Sequence, residues 1–256
     1  QTVVRKQTEV GVDVVSDGEQ SKISYATYIK HRLNGFDGDS PRRTPKDLEE
    51  YPAFSKRASS SGGVPTYSRP QCVGPISVKD LKPLEVDLQN FKDALSVSEA
   101  TDAFMNAASP GVIAQFQPNQ HYPDHSSYLY ALADAMKVEY EGIAEAGLVI
   151  QIDSPDLALG RHVLFKDQSD EEFVAMAELH IEALNHALQN IPAEQLRLHV
   201  CWGNYQGPHH CDIEMKKILP AVLKAKPMAL SFEGANPRHS HEWSVFRDAK
   251  IPENKV

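Results

Sequence analysis

Two hydrophobic patterns alternate along the chain. Short apolar runs bounded by polar loops are typical of buried strands, whereas apolar residues that recur every three or four positions are typical of amphipathic helices. The first pattern predicts strands at the start of 12–22 and at 72–78, 111–116, 148–153, 196–200 and 228–234. The second predicts helices at 1–10, 24–33, 84–107, 129–143, 173–188, 212–226 and 242–248.

This alternation favours βαβ units around a parallel sheet. Neither a GxGxxG motif nor a Walker loop occurs in the sequence, which argues against a nucleotide-binding doubly wound sheet. Acidic, histidine and cysteine residues repeatedly follow the predicted strands, where a (β/α)8 barrel builds its active site. We therefore expect an α/β fold of the (β/α)8 TIM-barrel type.

Only five or six barrel strands can be counted along the 256 residues. The barrel is therefore expected to be incomplete, with a strand missing before residue 1 and more beyond Val256. We expect one partial-barrel domain over 1–256, with a long irregular insertion at about 34–71 that is rich in Gly, Pro, Ser and Arg.

Composition narrows the class of protein. The chain is 41% hydrophobic and 24% charged, as in ordinary soluble globular proteins, and its net charge of −9 argues against nucleic acid and anionic membranes as partners. No apolar run is long enough to span a bilayer. Three scattered cysteines are too few for a disulfide framework and favour a reducing, cytoplasmic setting. Assembly into a homo-oligomer is left open.

The stretch 196–212 carries the most informative chemistry. Its apolar start, at Leu196, Leu198 and Val200, predicts a strand that runs into a polar loop. His199 and Cys201 stand two positions apart at that junction, so a strand would direct both to the same side. Imidazole nitrogen and thiolate sulfur are ligands that zinc takes, although a buried cysteine beside a packed histidine gives the same spacing.

Four ordered motifs resemble the catalytic barrel of cobalamin-independent methionine synthases, and more closely their short single-domain relatives. They are VDVVSDGE (12–19), VIQIDSP (149–155), LHVCWG (198–203) and LSFEGANPRHSHE (230–242). The resemblance covers nearly the whole chain. It implies a barrel of the methionine-synthase type and transfer of a methyl group to a thiol, commonly that of homocysteine, which zinc activates.

The resemblance also implies a set of site residues. His199, Cys201 and Glu233 match three zinc ligands of the family, and Glu19 and Asp153 match the acids that hold the amino group of homocysteine. The family's second cysteine ligand belongs to a segment beyond this sequence. Within the chain no further catalytic residue is expected.

The methyl donor is left open between a methylfolate and methylcobalamin. Methylfolate-using members carry a Trp just after the strand that aligns with VIAQF, and Gln117 stands at the matching place here. The folate donor is therefore in question, whereas the thiol-activating half is intact.

Each assigned acid has a plainer explanation. Glu233 could pair with Arg238, Asp153 could cap the next segment, and Glu19 could lie in a solvated turn. Other residues suggest a site but are more often surface, pocket-lining or core residues; these are His209, His210, His239, His241, Cys211, Cys72, Tyr25, Tyr28 and Trp202.

Two further functions stay open beside methyl transfer to homocysteine. The same zinc chemistry could direct a thiol to another electrophile, such as an epoxide. The chain could also be a non-catalytic or truncated barrel, because both ends of the expected fold are missing.

Overall fold

The structure is a computed structural model that describes residues 1–41, 43–60, 69–203 and 207–256. Its strands are β1 Val14–Ser16, β2 Leu33–Asp37, β3 Gln71–Val78, β4 Asp102–Ala108, β5 Val149–Asp153, β6 Leu196–Val200 and β7 Ala229–Phe232. Its α-helices are α1 Thr2–Glu9, α2 Lys46–Glu49, α3 Pro52–Ser60, α4 Lys82–Leu95, α5 Pro110–Phe116, α6 His125–Glu145, α7 Gly160–Val163, α8 Asp170–Ala187, α9 Met215–Val222 and α10 Trp243–Asp248. Short 3₁₀ turns lie at Thr27–His31, Pro155–Leu157 and Ala193–Gln195.

Five strands form one parallel sheet in the order β1-β4-β5-β6-β7. A separate two-stranded antiparallel sheet joins β2 to β3. Parallel neighbours joined by helices are the βαβ arrangement that the hydrophobic pattern predicts. The α/β class and the parallel sheet are thus confirmed, whereas a closed eight-stranded barrel is not part of the described residues.

The two faces of the parallel sheet differ in character. On one face apolar side chains such as Met105, Ile152 and Leu198 are buried, and α6 packs against β4 and β5 there. On the other face Asn106, Gln151, His199 and their neighbours are only partly buried. The strands therefore alternate between apolar and polar residues, and the polar face is the one that carries the candidate chemistry.

The predictions for 84–107 and 111–116 are wrong. The predicted helix ends at Leu95 and is followed by β4, and the predicted strand at 111–116 is the helix α5. The Ser109 side chain accepts a hydrogen bond from the Val112 backbone N–H, and Pro110 occupies the first turn. These start signals outweigh the strand preference of Val112 and Ile113.

The segment from 24 to 71 also contains more strand than predicted. A 3₁₀ turn at Thr27–His31 replaces the helix predicted at 24–33, and β2 follows it directly. Within 34–71, α2 and α3 are formed, and residues 42 and 61–68 lie outside the described residues. The strand predicted at 72–78 is confirmed, but it pairs with β2 and not with the parallel sheet.

The predictions nearest to the candidate chemistry are confirmed. β5 and β6 lie within one residue of the predicted strands, and β7 lies inside 228–234. None of the helices in the described residues combines the length and apolar content that a bilayer crossing requires. Cys72, Cys201 and Cys211 are all free.

Candidate functional site

The ends of β5, β6 and β7 bring the predicted site residues to one edge of the sheet. Asp153 is the register partner of His199, and His199 is the register partner of Ser231. Past the strand ends, the Glu233 backbone N–H donates to the Val200 carbonyl at 3.2 Å. In-register residues of parallel strands point to the same face, so Asp153 and His199 share the polar face of the sheet.

Cys201 lies just past β6 in a strongly acidic environment. Burial raises the pKa of its thiol to about 12, a backbone hydrogen bond with Gly203 opposes the rise, and the charges of Glu233 and Asp153 reinforce it. Without a cation nearby, this thiol would stay protonated at neutral pH. Both acids are thus close enough to act on the sulfur.

Glu233 has one satisfied and one unsatisfied carboxylate oxygen. Asn236 Nδ2 donates to Glu233 Oε1, and no ion pair joins Glu233 to Arg238 among the described residues. Glu233 Oε2 is buried and has no hydrogen-bond partner there. A buried carboxylate oxygen without a partner is costly, and a bound cation would satisfy it.

The three predicted zinc ligands fit the metal by chemistry but do not form a compact group here. Zinc takes a histidine nitrogen, a cysteine sulfur and a glutamate oxygen, and the acidic surroundings of Cys201 favour a cation. Among the described residues, three other groups of His, Cys, Asp and Glu have ligand atoms within 4.8 Å of one another. His199, Cys201 and Glu233 are not one of these groups, so their joint ligation stays a prediction.

Asp153 is an acceptor held in a fixed orientation on the polar face. Its side chain is 7% exposed, and it accepts hydrogen bonds from Asn106 Nδ2 at 2.8 Å and from Gln151 Nε2 at 2.9 Å. The following 3₁₀ turn begins at Ser154 without a side-chain cap, so Asp153 does not serve as a helix cap. Two amide donors keep its carboxylate in a fixed orientation.

Glu19 lies close to Asp153 in space despite their separation in sequence. Burial raises the pKa of Glu19, Lys22 opposes this rise, and the charge of Asp153 adds to it. Glu19 adopts a left-handed backbone conformation at φ 52° and pairs with Lys22 at 3.5 Å. This conformation is unusual for a residue with a side chain, and such strain is found most often at functional sites.

Lys22 supplies the positive charge now nearest to Glu19. Its side chain is 3% exposed, and its ammonium lies 4.6 Å from the centre of the Tyr28 ring. The same ammonium donates to the Asn106 carbonyl at 2.5 Å, beside the Asn106 side chain that binds Asp153. The neighbourhood of Glu19 and Asp153 can therefore hold an ammonium group.

Several other residues named from the sequence lie in the protein interior or in a separate group of side chains. Cys72 is fully buried in β3, and Trp202 is fully buried with its indole N–H donating to the Ile213 carbonyl. Gln117 is fully buried and donates to the Ala26 carbonyl. Cys211 groups with Glu50 and His210 and not with Cys201, so it does not replace the family's second cysteine in this structure.

The sequence analysis missed the burial of two histidines. The side chains of His209 and His239 are 3% and 6% exposed, although HH and HSH pairs in loops are usually on the surface. Both contact Asp212, which was not among the residues predicted for the site. The one available signal was Asp212 itself, an acid three positions after His209 in a loop rich in Gly, Pro and His.

Comparison with known proteins gives relatives of one kind. A methionine synthase of Saccharolobus solfataricus is 28% identical over 233 residues, which cover 89% of this chain and 60% of that protein. A methionine synthase of Sulfolobus acidocaldarius is 26% identical over 220 residues, which cover 85% and 55%. No protein-family model matches the chain. The chain thus spans little more than half the length of these curated relatives.

A solved structure has the same fold. A B12-independent methionine synthase from Shewanella sp. W3-18-1, in complex with selenomethionine, superposes with a TM-score of 0.61 at 19% identity, over 90% of this chain and 60% of that one. The five-stranded parallel sheet therefore corresponds to part of that protein's fold, as half of a barrel would. These similarities confirm the resemblance seen in the four motifs: the chain is similar in sequence to proteins named methionine synthase, and its fold matches part of a B12-independent methionine synthase.

Proposed function

We propose that this chain carries the thiol-activating half of a zinc-dependent methyltransferase that converts homocysteine to methionine. The observation that carries the proposal is the acidic environment of Cys201, where Glu233 and Asp153 act on one sulfur at the ends of neighbouring strands. The similarity to proteins named methionine synthase supports the methyltransferase class.

His199, Cys201 and Glu233 would hold the zinc ion. When bound, zinc lowers the pKa of a coordinated thiol, so that the substrate sulfur is a nucleophile at neutral pH. Cys201 and Glu233 contribute negative charge, and the neutral imidazole of His199 completes a mixed donor set. Glu233 Oε2, which is buried and has no hydrogen-bond partner among the residues that the structure describes, is an acceptor suited to this role.

Glu19 and Asp153 would bind the amino group of homocysteine. Asp153 is kept in place by Asn106 and Gln151, so it offers a fixed carboxylate to an incoming ammonium. Lys22 currently pairs with Glu19 and would share that carboxylate with the substrate. With sulfur and amino group both held, the substrate is aligned for displacement at the methyl donor, which is mainly a positioning task.

A methylated folate is the donor that fits this family. Methylcobalamin does not fit, because the B12-independent enzymes act without cobalamin. A cytoplasmic location and assembly into a homo-oligomer stay predictions.

The ammonium contact can be tested by comparing two thiols. Zinc-loaded protein should bind homocysteine at least about tenfold more tightly than 4-mercaptobutyrate, which lacks only the amino group, because a partly buried charge pair contributes about 1.4 kcal/mol or more. Asp153→Asn should remove most of this difference. Calorimetric titration of the two thiols measures it.

The control for this titration is Asp134→Asn, which alters an exposed acid that pairs with His186 far from the sheet edge. It should leave both affinities unchanged. Equal binding of the two thiols by the unaltered protein would contradict the assignment of Glu19 and Asp153.

Product analysis separates methyl transfer from the other functions. Methionine should form from homocysteine and a methylfolate, and Cys201→Ser should abolish it. Reaction of a thiol with an epoxide, without methionine formation, would favour the alternative thiol transferase. A folded, zinc-loaded protein inactive with both electrophiles would favour a non-catalytic barrel.

A further inference from the structure

A second group of potential metal ligands lies apart from the predicted zinc ligands. Asp212 and His209 belong to the loop between β6 and α9, and His239 belongs to the loop after β7. His162 comes from α7, and Asp47 comes from α2. We call these five residues the Asp212 cluster. His209, Asp212 and His239 form one group of neighbouring ligand atoms, and Asp47, His162 and Asp212 form a second group that shares Asp212.

Asp212 is the centre of the cluster. Its Oδ2 atom lies 2.8 Å from His209 Nδ1 and 2.8 Å from His239 Nε2. Its Oδ1 atom lies 3.3 Å from His162 Nδ1. Ligands of a tetrahedral zinc ion with bonds of about 2.0–2.1 Å are separated by roughly 3.3 Å, so the spacings of His209 and His239 from Asp212 suit ligands of one ion. The ligand atoms of these three residues all lie within 4.8 Å of one another, and those of His162 are not part of the same group.

The contact between Asp212 and His162 is close but is not a hydrogen bond. Asp212 Oδ1 is buried and makes no hydrogen bond among the described residues, although His162 Nδ1 is 3.3 Å away. A buried carboxylate oxygen without a hydrogen-bond partner is costly, and a cation bound at Asp212 would offset this cost.

The side chains of the cluster are largely shielded from solvent, and one of its rings is held in place by stacking. The side chains of His162 and Asp47 are fully buried, and that of Asp212 is 6% exposed. The ring of His239 stacks on Trp202, with centroids 3.8 Å apart and planes 7° apart. Buried carboxylates need a positive partner, and a fixed imidazole loses little entropy when it binds a metal.

The position of Asp47 adds to this arrangement. His162 directs Nδ1 toward Asp212, and its other ring nitrogen, Nε2, lies 3.9 Å from Asp47 Oδ2. Asp47 and His162 thus pack beside Asp212 as a buried carboxylate and imidazole, next to the proposed ligands and not among them.

We propose that the Asp212 cluster is a second metal site that binds one divalent ion of the zinc type through the imidazole nitrogens of His209 and His239 and the carboxylate of Asp212. Such ligands suit zinc and its first-row neighbours better than calcium or magnesium, which prefer oxygen. The ion would tie the loop after β6 to the loop after β7. These loops follow Cys201 and Glu233 in the chain, so the second ion stabilises the segments that carry the catalytic centre.

The direct test is the zinc content of Cys201→Ser protein. This substitution removes a ligand of the predicted catalytic site and leaves the Asp212 cluster intact. After equilibration with zinc and a weak competing chelator, the variant should retain one zinc ion per chain by elemental analysis. Asp212→Asn in the same background should lose that ion, and zinc should raise the melting temperature of Cys201→Ser protein only when Asp212 is present.

Two controls separate the cluster from other sites. His241→Gln alters an exposed histidine of the same loop, and His210→Ala disrupts the group of Glu50, His210 and Cys211. Both should retain the ion in the Cys201→Ser background. If Asp212→Asn does not fold, His239→Gln serves instead, and the cobalt(II) absorption of Cys201→Ser protein should show nitrogen and oxygen ligands without sulfur.

Each outcome decides between the two sites. Folded Cys201→Ser protein without zinc overturns the second site and leaves the proposed function intact. Loss of the ion with His210→Ala, but not with Asp212→Asn, also overturns it. One ion per chain in both the unaltered and the Cys201→Ser protein supports the Asp212 cluster and contradicts the zinc site at Cys201.

Discussion

Gly111 permits a buried ion pair between Asp156 and His180. His180 Nδ1 lies 2.8 Å from Asp156 Oδ2, and Ser109 Oγ donates to the other carboxylate oxygen at 2.7 Å. A side chain at Gly111 would overlap both the carboxylate and the imidazole. The position therefore requires glycine for lack of space, although its backbone is helical.

We expect Gly111→Ala to lower the free energy of unfolding by about 3 kcal/mol, because it separates a buried pair. Chemical denaturation measures the loss. Gly142→Ala is the matched control, since it also lies in a helix and its new methyl group would meet only the flexible Leu84 side chain. That control should be neutral or stabilising by up to about 1 kcal/mol; equal losses in the two variants would refute the steric explanation.

His125 makes the free energy of unfolding depend on pH in the acidic range. Burial and, to a smaller extent, the neighbouring ring of His180 together lower the pKa of His125 to about 4; the two Nε2 atoms are 2.8 Å apart. Between pH 6.5 and 4 the unfolded chain therefore binds a proton at His125 that the folded chain does not. The free energy of unfolding should fall as the pH drops through this range.

The contribution of His125 between pH 7 and pH 5 should be about 1 kcal/mol, allowing for its partial exposure to solvent. Denaturation at the two pH values should show a smaller decrease for His125→Gln than for the unaltered protein. His186→Gln, at an exposed histidine paired with Asp134, provides the control. An unchanged decrease in His125→Gln would show that other groups cause the acid sensitivity.

At the scale of elements, the N-terminus of α8 has a complete capping box. The Ser169 side chain accepts from the Glu172 backbone N–H at 3.2 Å, and the Glu172 carboxylate accepts from the Ser169 backbone N–H at 2.8 Å. Because α8 packs against both α6 and α9, fraying at its first turn weakens the helical layer.

Ser169→Ala should therefore cost about 1 kcal/mol in the free energy of unfolding. Glu172→Gln keeps a side-chain acceptor at the same place and should cost much less. Both changes can be followed by denaturation monitored by circular dichroism. Similar losses in the two variants would mean that the charge of Glu172, and not the hydrogen-bonded box, stabilises the helix.

Helical and strand periodicity predicted most elements near the site, but failed where local signals compete. β5 and β6 were predictable because each is a short run with apolar residues at alternate positions, Ile150 and Ile152 or Leu196 and Leu198, and each run ends at a polar loop. β4 was missed because Asp102–Ala108 contains no β-branched residue and resembles a helix in composition. α5 was missed because its cap at Ser109 overrides an apolar run that favours a strand.

At the scale of the whole molecule, the sheet brings together residues that are far apart in sequence. The common edge of Asp153, His199, Cys201 and Glu233 was predictable, since residues at the ends of adjacent parallel strands must be neighbours. The Asp212 cluster was not predictable, because it depends on how α2 and α7 pack against the loops after β6 and β7. Tertiary packing of this kind leaves no periodic signal in the sequence.

The central claim is that Cys201 is a ligand of a metal ion that activates a thiol. Cobalt(II) in place of zinc reports this directly, because a sulfur ligand gives intense charge-transfer absorption in the near ultraviolet. We expect this absorption in the unaltered protein and in Cys211→Ser, and not in Cys201→Ser. Absence of the band from the unaltered protein, or its loss with Cys211→Ser and not with Cys201→Ser, would contradict the account.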